Sequence, residues 1–305
     1  MAAESAPAVR ELVQLAEGQL GRSGAGPDAD CCVGPVGLDQ VRQMYAGRVQ
    51  QGRRDATPTM HLPMRRPGPA GPGLDAQQQI VSAAITSGRH QAGLAMELGC
   101  GPGANSLALA AAHRPWQFVG LDLLPAHASA AQLSSLRGPN ASFLAADFGQ
   151  LPVAPATCAL VFTVEGLGHA VDLAPVLAAV RDSRVRGGEL VVIEIFRAPD
   201  FDRLPRRLRQ LGATVERLLA FPALPSIDSW ARVAASLGFA VARPRDLTPA
   251  VLPELSLVAA VGRQALRADA DLPQAWLRFI LAGLLTFHSL LAGPHRYAAI
   301  HLTRS

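Results

Sequence analysis

Between positions 76 and 200 the chain alternates two kinds of apolar pattern. Helix-like segments, beginning with "DAQQQIVSAAITSG", are interleaved with short β-rich runs: "GLAMELG", "QFVGLD", "ASFLAADF", "CALVFTVEG" and "ELVVIEIFR". Strand and helix in alternation predict a parallel sheet with helices on both faces. After Pro199 the rhythm changes. "FDRLPRRLRQLGATVERLLAF" predicts an amphipathic helical insertion with a proline break, near 200–225. "SWARVAASLGFAVARPRDLTP" returns to helix, glycine and strand, "PELSLVAAVGRQALR" and "LPQAWLRFILAGLLTFHSLLA" are helical, and "HRYAAIHLTR" closes the chain as a strand. The first 75 or so residues stand apart: "GRSGAGPDADCCVGPVG" and "RRPGPAGPGLD" are Gly/Pro-rich and predict loops or disorder. Between them "LDQVRQMYAGRVQQG" places Leu38, Val41, Tyr45 and Val49 near one helical face. The first ~30 residues are expected to be poorly ordered, because small polar residues, Gly and Pro bury little surface against chain entropy.

Composition narrows the class only a little. A chain of 305 residues with 49% hydrophobic and 17% charged residues suits one large globular domain, or a domain with a cap. All 28 basic residues are arginine, the formal charge of +4 is mild, and no block of like charge occurs, so nucleic acid is not an expected partner. Four cysteines, Cys31, Cys32, Cys100 and Cys158, have no metal-ligand spacing, and no metal site is expected. The N-terminus carries early acids and no apolar segment of signal-peptide type, which together with free thiols predicts a cytoplasmic protein. "FILAGLLTFHSLLAG", beside Arg278, is short for a bilayer and is expected to be a buried or lid helix near 273–291 rather than a stable membrane insertion.

The chemistry concentrates in "MELGCGPGANSLALAAAHRPWQFVGLD". Gly99, Gly101 and Gly103 follow a strand and open a helix. Missing side chains let a ligand lie against backbone near helix N-terminal N–H groups. Asp122 ends the next strand, where a carboxylate can accept hydrogen bonds from two ribose hydroxyls. The letters also satisfy the dinucleotide pattern G-x-G-x-x-A, so two cofactor classes compete. Glu97, two residues before the first glycine, favours a cofactor with an ammonium group, since a pyrophosphate gains nothing from that charge. "AADF" after the third strand places Asp147 and Phe148 beside an adenine. The long helix and final strand suit a seventh strand inserted antiparallel. The expected ligand is S-adenosyl-L-methionine.

Glu97 to Gly103, Asp122, Asp147, "CALVFTVEGLGHA" and "RVRGGELVVIEIFR" together resemble the successive motifs of class I S-adenosylmethionine-dependent methyltransferases. "E-x-x-x-H" at Glu165 to His169 and "GGELVVIE" bring the likeness closer to the small-molecule branch that includes sterol, tocopherol and ubiquinone/menaquinone methyltransferases. The likeness covers roughly residues 76–200 well and 226–305 loosely. It implies an α/β, Rossmann-like, seven-stranded and mostly parallel sheet with helices on both faces, an antiparallel last strand and a helical cap. It also implies cofactor contacts from Glu97, Gly99, Gly101, Gly103, Asp122, Leu123, Asp147, Phe148 and Glu165. Tyr45 resembles the N-terminal tyrosine that closes over the cofactor in related enzymes; it also fits an apolar-face core residue. Arsenite methyltransferases use an N-terminal cysteine pair, but the strand-four region here offers no thiol, and Cys31 and Cys32 are expected to be incidental.

His169 fits two readings, a general base beyond the fourth strand or a histidine that shapes the loop. Arg203, Arg206, Arg207 and Arg209 fit a solvated helix face or an anion-gripping lid. The expected activity is methyl transfer to O, N or C of an apolar or aromatic small molecule, in secondary metabolism, beneath a cap built from residues 1–75, the insertion and the lid helix. A homo-oligomer is compatible with the sequence. The rival readings are an NAD(P)-dependent oxidoreductase and a non-catalytic S-adenosylmethionine-binding protein.

Overall fold

The computed structural model describes residues 6–22, 61–65, 73–268 and 274–304. Tyr45, Cys31, Cys32, the predicted helix around Tyr45 and most of the Gly/Pro-rich stretches lie outside the described residues. Five strands run parallel: β1 (Gly93–Leu98), β2 (Trp116–Asp122), β3 (Ala141–Ala145), β4 (Cys158–Val164) and β5 (Arg184–Arg197). Three more follow: β6 (Phe239–Val241), β7 (Arg245–Asp246) and β8 (His295–Arg304). The sheet order is β3-β2-β1-β4-β5-β8-β6. β8 is antiparallel to β5 and to β6, and β7 adds a two-residue pairing, Arg245 with Ala299 and Asp246 with Ala298. The seven expected strands are present with the antiparallel insertion, and β7 is the eighth.

Period-two alternation sorts the strand residues into two cores. Ala95, Phe162, Val191, Ile193 and Tyr297 face one, which α2 (Ala76–Ser87) and α3 (Ala104–Ala112) cover. Met96, Leu98, Val161, Val192 and Ile300 face the other, under Val176 and Leu177 of α5 (Leu173–Ser183) and Trp230 of α7 (Ile227–Ser236). Two further helices are α4 (Pro125–Gln132), after β2, and α6 (Arg206–Leu218), which starts directly after Pro205. Near the C-terminus, α8 (Thr248–Ala268) and α9 (Gln274–Ala292) pack against each other. Asp75 starts α2 with a capping box: Gln78 N–H donates to its carboxylate at 2.8 Å, and Asp75 N–H donates to the Gln78 side chain at 2.9 Å.

Ala6–Arg22 form a helix, α1, inside the stretch expected to be poorly ordered. Val13 and Ala16 are buried with Leu211, Val215 and Leu218 of α6 and Leu281, Ala282 and Leu285 of α9. Tertiary burial supplies what local composition lacks. The apolar C-terminal stretch is this same α9, and among the described residues no helix is long and apolar enough to cross a membrane.

Candidate active site

After β1 the backbone enters the left-handed region at Gly99 (φ +71°), Gly101 (φ +53°) and Gly103 (φ +88°). Cys100 N–H donates to the Leu121 carbonyl at 2.8 Å, and Gly103 N–H to that of Cys100 at 2.9 Å, which pins the turn to the end of β2. A Cβ on Gly103 would stand 2.7 Å from Ala131 Cβ and 2.8 Å from the Phe143 ring; one on Gly99 would stand 3.0 Å from Gly166 Cα. The fold itself therefore requires glycine at these two positions, and the turn keeps bare backbone on the carboxyl edge of the sheet, where open α/β sheets bind ligands.

Glu97 is fully buried and tied to the start of α3. Its Oε1 accepts from Asn105 Nδ2 at 2.9 Å, and its Oε2 from Ser106 N–H at 3.1 Å and Ser106 Oγ at 2.5 Å. Burial pushes this carboxyl up to about 7, against the downward pull of the Ser106 and Asn105 hydrogen bonds. Asp122 stands across the turn. Its Oδ2 accepts from Gly101 N–H at 2.8 Å, and its Oδ1 from Leu124 N–H at 2.9 Å and His127 Nδ1 at 3.1 Å. Leu123 beside it is half-buried. One strand over, Asp147 and Phe148 are half-buried in the turn after β3, where Asp147 accepts from Gly149 N–H at 2.8 Å and Phe148 packs against the second core. Asp122 and this turn are joined directly, since Ala146 N–H donates to the Asp122 carbonyl at 2.9 Å.

The end of β4 forms the other wall. Glu165 has φ +56°, an uncommon backbone for a residue with a side chain. Its Oε1 accepts from Tyr297 OH at 2.8 Å and from Leu62 N–H at 2.7 Å. The segment 61–65 thus crosses to the sheet edge, and Gln77 Nε2 fixes it further by donating to the Leu62 carbonyl at 2.6 Å. His61 sits 3.2 Å from Asp75. Burial alone would lower its pKa, but the hydrogen bond to Asp75 and the charges of Glu165 and Asp75 carry it above the usual histidine value. Glu194 of β5 accepts from Gly168 N–H at 2.8 Å and Ile195 N–H at 2.9 Å; burial first, and the neighbouring Glu165 second, push it up to about 8. His169 ends the short turn Leu167–His169, is 9% exposed, donates from Nδ1 to the Ala220 carbonyl at 3.2 Å, and lies 4.7 Å from the Phe221 ring.

The glycine turn, Glu97, Asp122, Asp147, Glu165 and His169 therefore gather at the carboxyl ends of β1 to β4. Tyr297, Gln77, Glu194, His127 and the segment 61–65 stand among them without having been singled out. Glu194 closes the "GGELVVIE" run, which gave it no site role of its own; the others carry no local motif, and only the insertion of β8 beside β5 brings Tyr297 there. Arg203, Arg206 and Arg207 are exposed and Arg209 is half-buried. Cys100 and Cys158 are free and buried, and burial raises both thiols, Cys158 to about 11. Among the described residues no group of three His, Cys, Asp or Glu is placed to hold a metal ion.

Residues 95–188, from β1 into β5, match the family model of a methyltransferase domain. No curated protein matches the chain. Among solved structures it is similar to geranyl diphosphate C-methyltransferase from Streptomyces coelicolor A3(2), with 17% identity over 90% of this chain and 99% of that one, TM-score 0.65. It is also similar to the cyclopropane synthase MmaA2 from Mycobacterium tuberculosis, with 18% identity over 88% and 96%, TM-score 0.67. A third likeness is to the [4+2]-cyclase SpnF, with 13% identity over 90% and 97%, TM-score 0.65. At these identities the structures define the fold, and the matched segment adds the class. The chain is an enzyme with a methyltransferase domain over residues 95–188, as the motifs led one to expect, in the fold that these structures share. Neither the oxidoreductase nor the non-catalytic reading is favoured by the match.

Proposed function

We propose that this enzyme transfers a methyl group from S-adenosylmethionine to a nucleophilic O, N or C atom of an apolar or aromatic small molecule. The observation that carries the reading is the bare glycine turn with Asp122 locked against it, Gly101 N–H to Oδ2 at 2.8 Å. Gly99, Gly101 and Gly103 lend backbone to the ligand, Asp122 takes the ribose, and Asp147, Phe148 and Leu123 border the adenine. Glu97 sets the start of α3 and receives the ammonium group through water. Bound there, the sulfonium supplies an electrophilic methyl group. In-line transfer then asks the protein mainly for alignment. His169 is the base of the reading: Nδ1–H donation to the Ala220 carbonyl selects the neutral tautomer in which Nε2 carries the lone pair. Glu165, held by Tyr297 and Leu62, borders both cofactor and acceptor. Tyr45 is assigned to closure over the cofactor. The mutual packing of α1, α6 and α9 supports a cap of Leu, Ala and Val over an apolar substrate. A place in secondary metabolism, in the cytoplasm, fits this substrate class.

Calorimetry with S-adenosylhomocysteine and with NAD tests the cofactor. The first is expected to bind, the second not, and Asp122→Ala to lose binding while staying folded, since a charge-assisted contact is worth on the order of 2–3 kcal/mol. Tight NAD binding, or an unaffected Asp122→Ala variant, would overturn the assignment. A metabolite screen with labelled methyl donor, read by mass spectrometry, tests transfer; cofactor binding with no transfer to any acceptor would favour a non-catalytic role.

A further inference from the structure

His127 has no place in the reading so far. It lies in the first turn of α4, is 3% exposed, and its Nδ1 is 3.1 Å from Asp122 Oδ1. A carboxylate oxygen accepts, so Nδ1 carries the hydrogen. Leu124 N–H donates to the same oxygen at 2.9 Å, whereas Gly101 N–H donates to Oδ2 at 2.8 Å. A carboxylate offers roughly four acceptor positions, two on each oxygen. Oδ1 is therefore filled from the α4 side. Oδ2, on the side of the glycine turn, keeps one position. A ribose brings two hydroxyl donors, and this carboxylate cannot serve them equally. Pro125 opens α4 and fixes the backbone that carries the ring, and His127 N–H donates to the Leu124 carbonyl at 3.0 Å, so the imidazole is held where it stands.

We infer that His127 is a positioning residue for cofactor recognition: by occupying Oδ1 it orients Asp122 so that Oδ2 grips one ribose hydroxyl and leaves the other weakly held. The inference rests on the reading of Asp122 as the ribose acid. It differs from a plain role in starting the helix, in which His127 would affect every ligand alike.

Calorimetry with S-adenosylhomocysteine and its 2′-deoxy and 3′-deoxy analogues separates these. In the native enzyme, loss of the gripped hydroxyl is expected to cost about tenfold or more in Kd and loss of the other less than about threefold. His127→Leu should weaken S-adenosylhomocysteine about tenfold and bring the two analogues to within about twofold of each other. His127→Asn, whose amide nitrogen reaches where Nδ1 does, should restore both the affinity and the difference. Equal analogue penalties in the native enzyme would overturn the inference, and this measurement stands even if His127→Leu fails to fold. So would a His127→Leu variant that binds all three ligands as the native enzyme does, or a uniform loss that His127→Asn does not repair. Unimpaired binding by Asp122→Ala would instead overturn the ribose reading itself, whatever His127 does.

Discussion

Gly103→Ala isolates what the glycine turn costs the fold. An L-residue held in left-handed backbone, as φ +88° demands, costs roughly 1–2 kcal/mol. The new methyl group would stand 2.7 Å from Ala131 Cβ and 2.8 and 2.9 Å from two carbons of the Phe143 ring. Phe143 has little room to yield. It is buried, and Gly120 also lies so close that a Cβ there would be 2.6 Å from the ring. Overpacking of this kind costs roughly 1–3 kcal/mol. The substitution also stiffens the unfolded chain, which returns about 0.4–1 kcal/mol. The net expectation is a loss of about 1–4.5 kcal/mol, read as a clear fall in the urea midpoint. Gly18→Ala is the control: it lies at an exposed position of α1 with open space around the added carbon, and should stabilise by about 0.5–1 kcal/mol. A Gly103→Ala unfolding free energy within ~0.5 kcal/mol of the native protein would refute the claim that packing dictates glycine there.

His169→Asn keeps a donor for the Ala220 carbonyl and should leave cofactor affinity and melting temperature nearly unchanged while turnover falls about 10²-fold or more; full activity would remove the base role. Buried Glu216 accepts two hydrogen bonds from half-buried Arg197, at 2.7 and 2.6 Å, and one from buried His295 at 3.1 Å, so Glu216→Ala should cost about 3–5 kcal/mol; a loss under ~1 kcal/mol in urea unfolding would show the network to be dispensable. Glu97 and Glu194 titrate at about 7 and about 8 in the folded chain against 4.5 unfolded, so the unfolded state binds fewer protons between these values and stability should fall as pH rises from about 4.5 to about 8. Glu216, held below its usual value by His295 and Arg197 against the upward push of burial, adds stability that is lost as pH falls through its folded value; the urea midpoint should therefore peak near pH 4.5, the unfolded value of all three carboxyls, and a midpoint rising from pH ~5 to ~8 would contradict this.

The parts of the fold legible in the sequence are those whose signal is local. β1, β2, β4 and β5 announce themselves because a strand inside a parallel sheet needs an apolar residue at most positions, as β4 has: all of Cys158–Val164 are buried, whereas β3, at the sheet edge, buries only Ala141 and Phe143. The glycine turn is legible because three left-handed positions admit few other residues. α1 was missed for the opposite reason. Its stretch mixes Glu, Gln, Gly and Arg, and its helix is fixed by Val13 and Ala16 meeting α6 and α9, partners nearly two hundred residues away and more. β7 was missed because two residues with exposed side chains carry no pattern.

The candidate site divides in the same way. The residues expected at the site, Glu97, Asp122, Asp147 and Glu165, lie at or beside strand ends, where chain order alone puts them on one edge. What they do there depends on groups that the sequence does not place. Glu97, expected only to await an ammonium group, already holds Asn105 and Ser106. Asp122, expected to offer two oxygens to a ribose, has one of them occupied by Leu124 and His127. Glu165, expected to contact the cofactor, is engaged by Tyr297 from the antiparallel strand inserted beside β5. A motif names the acid, but the donors around it decide how much of that acid remains for a ligand, and those donors come from whichever elements the topology brings alongside. Here they come from α3, α4 and β8, so the chain tunes a shared set of acids through positions that have no motif of their own.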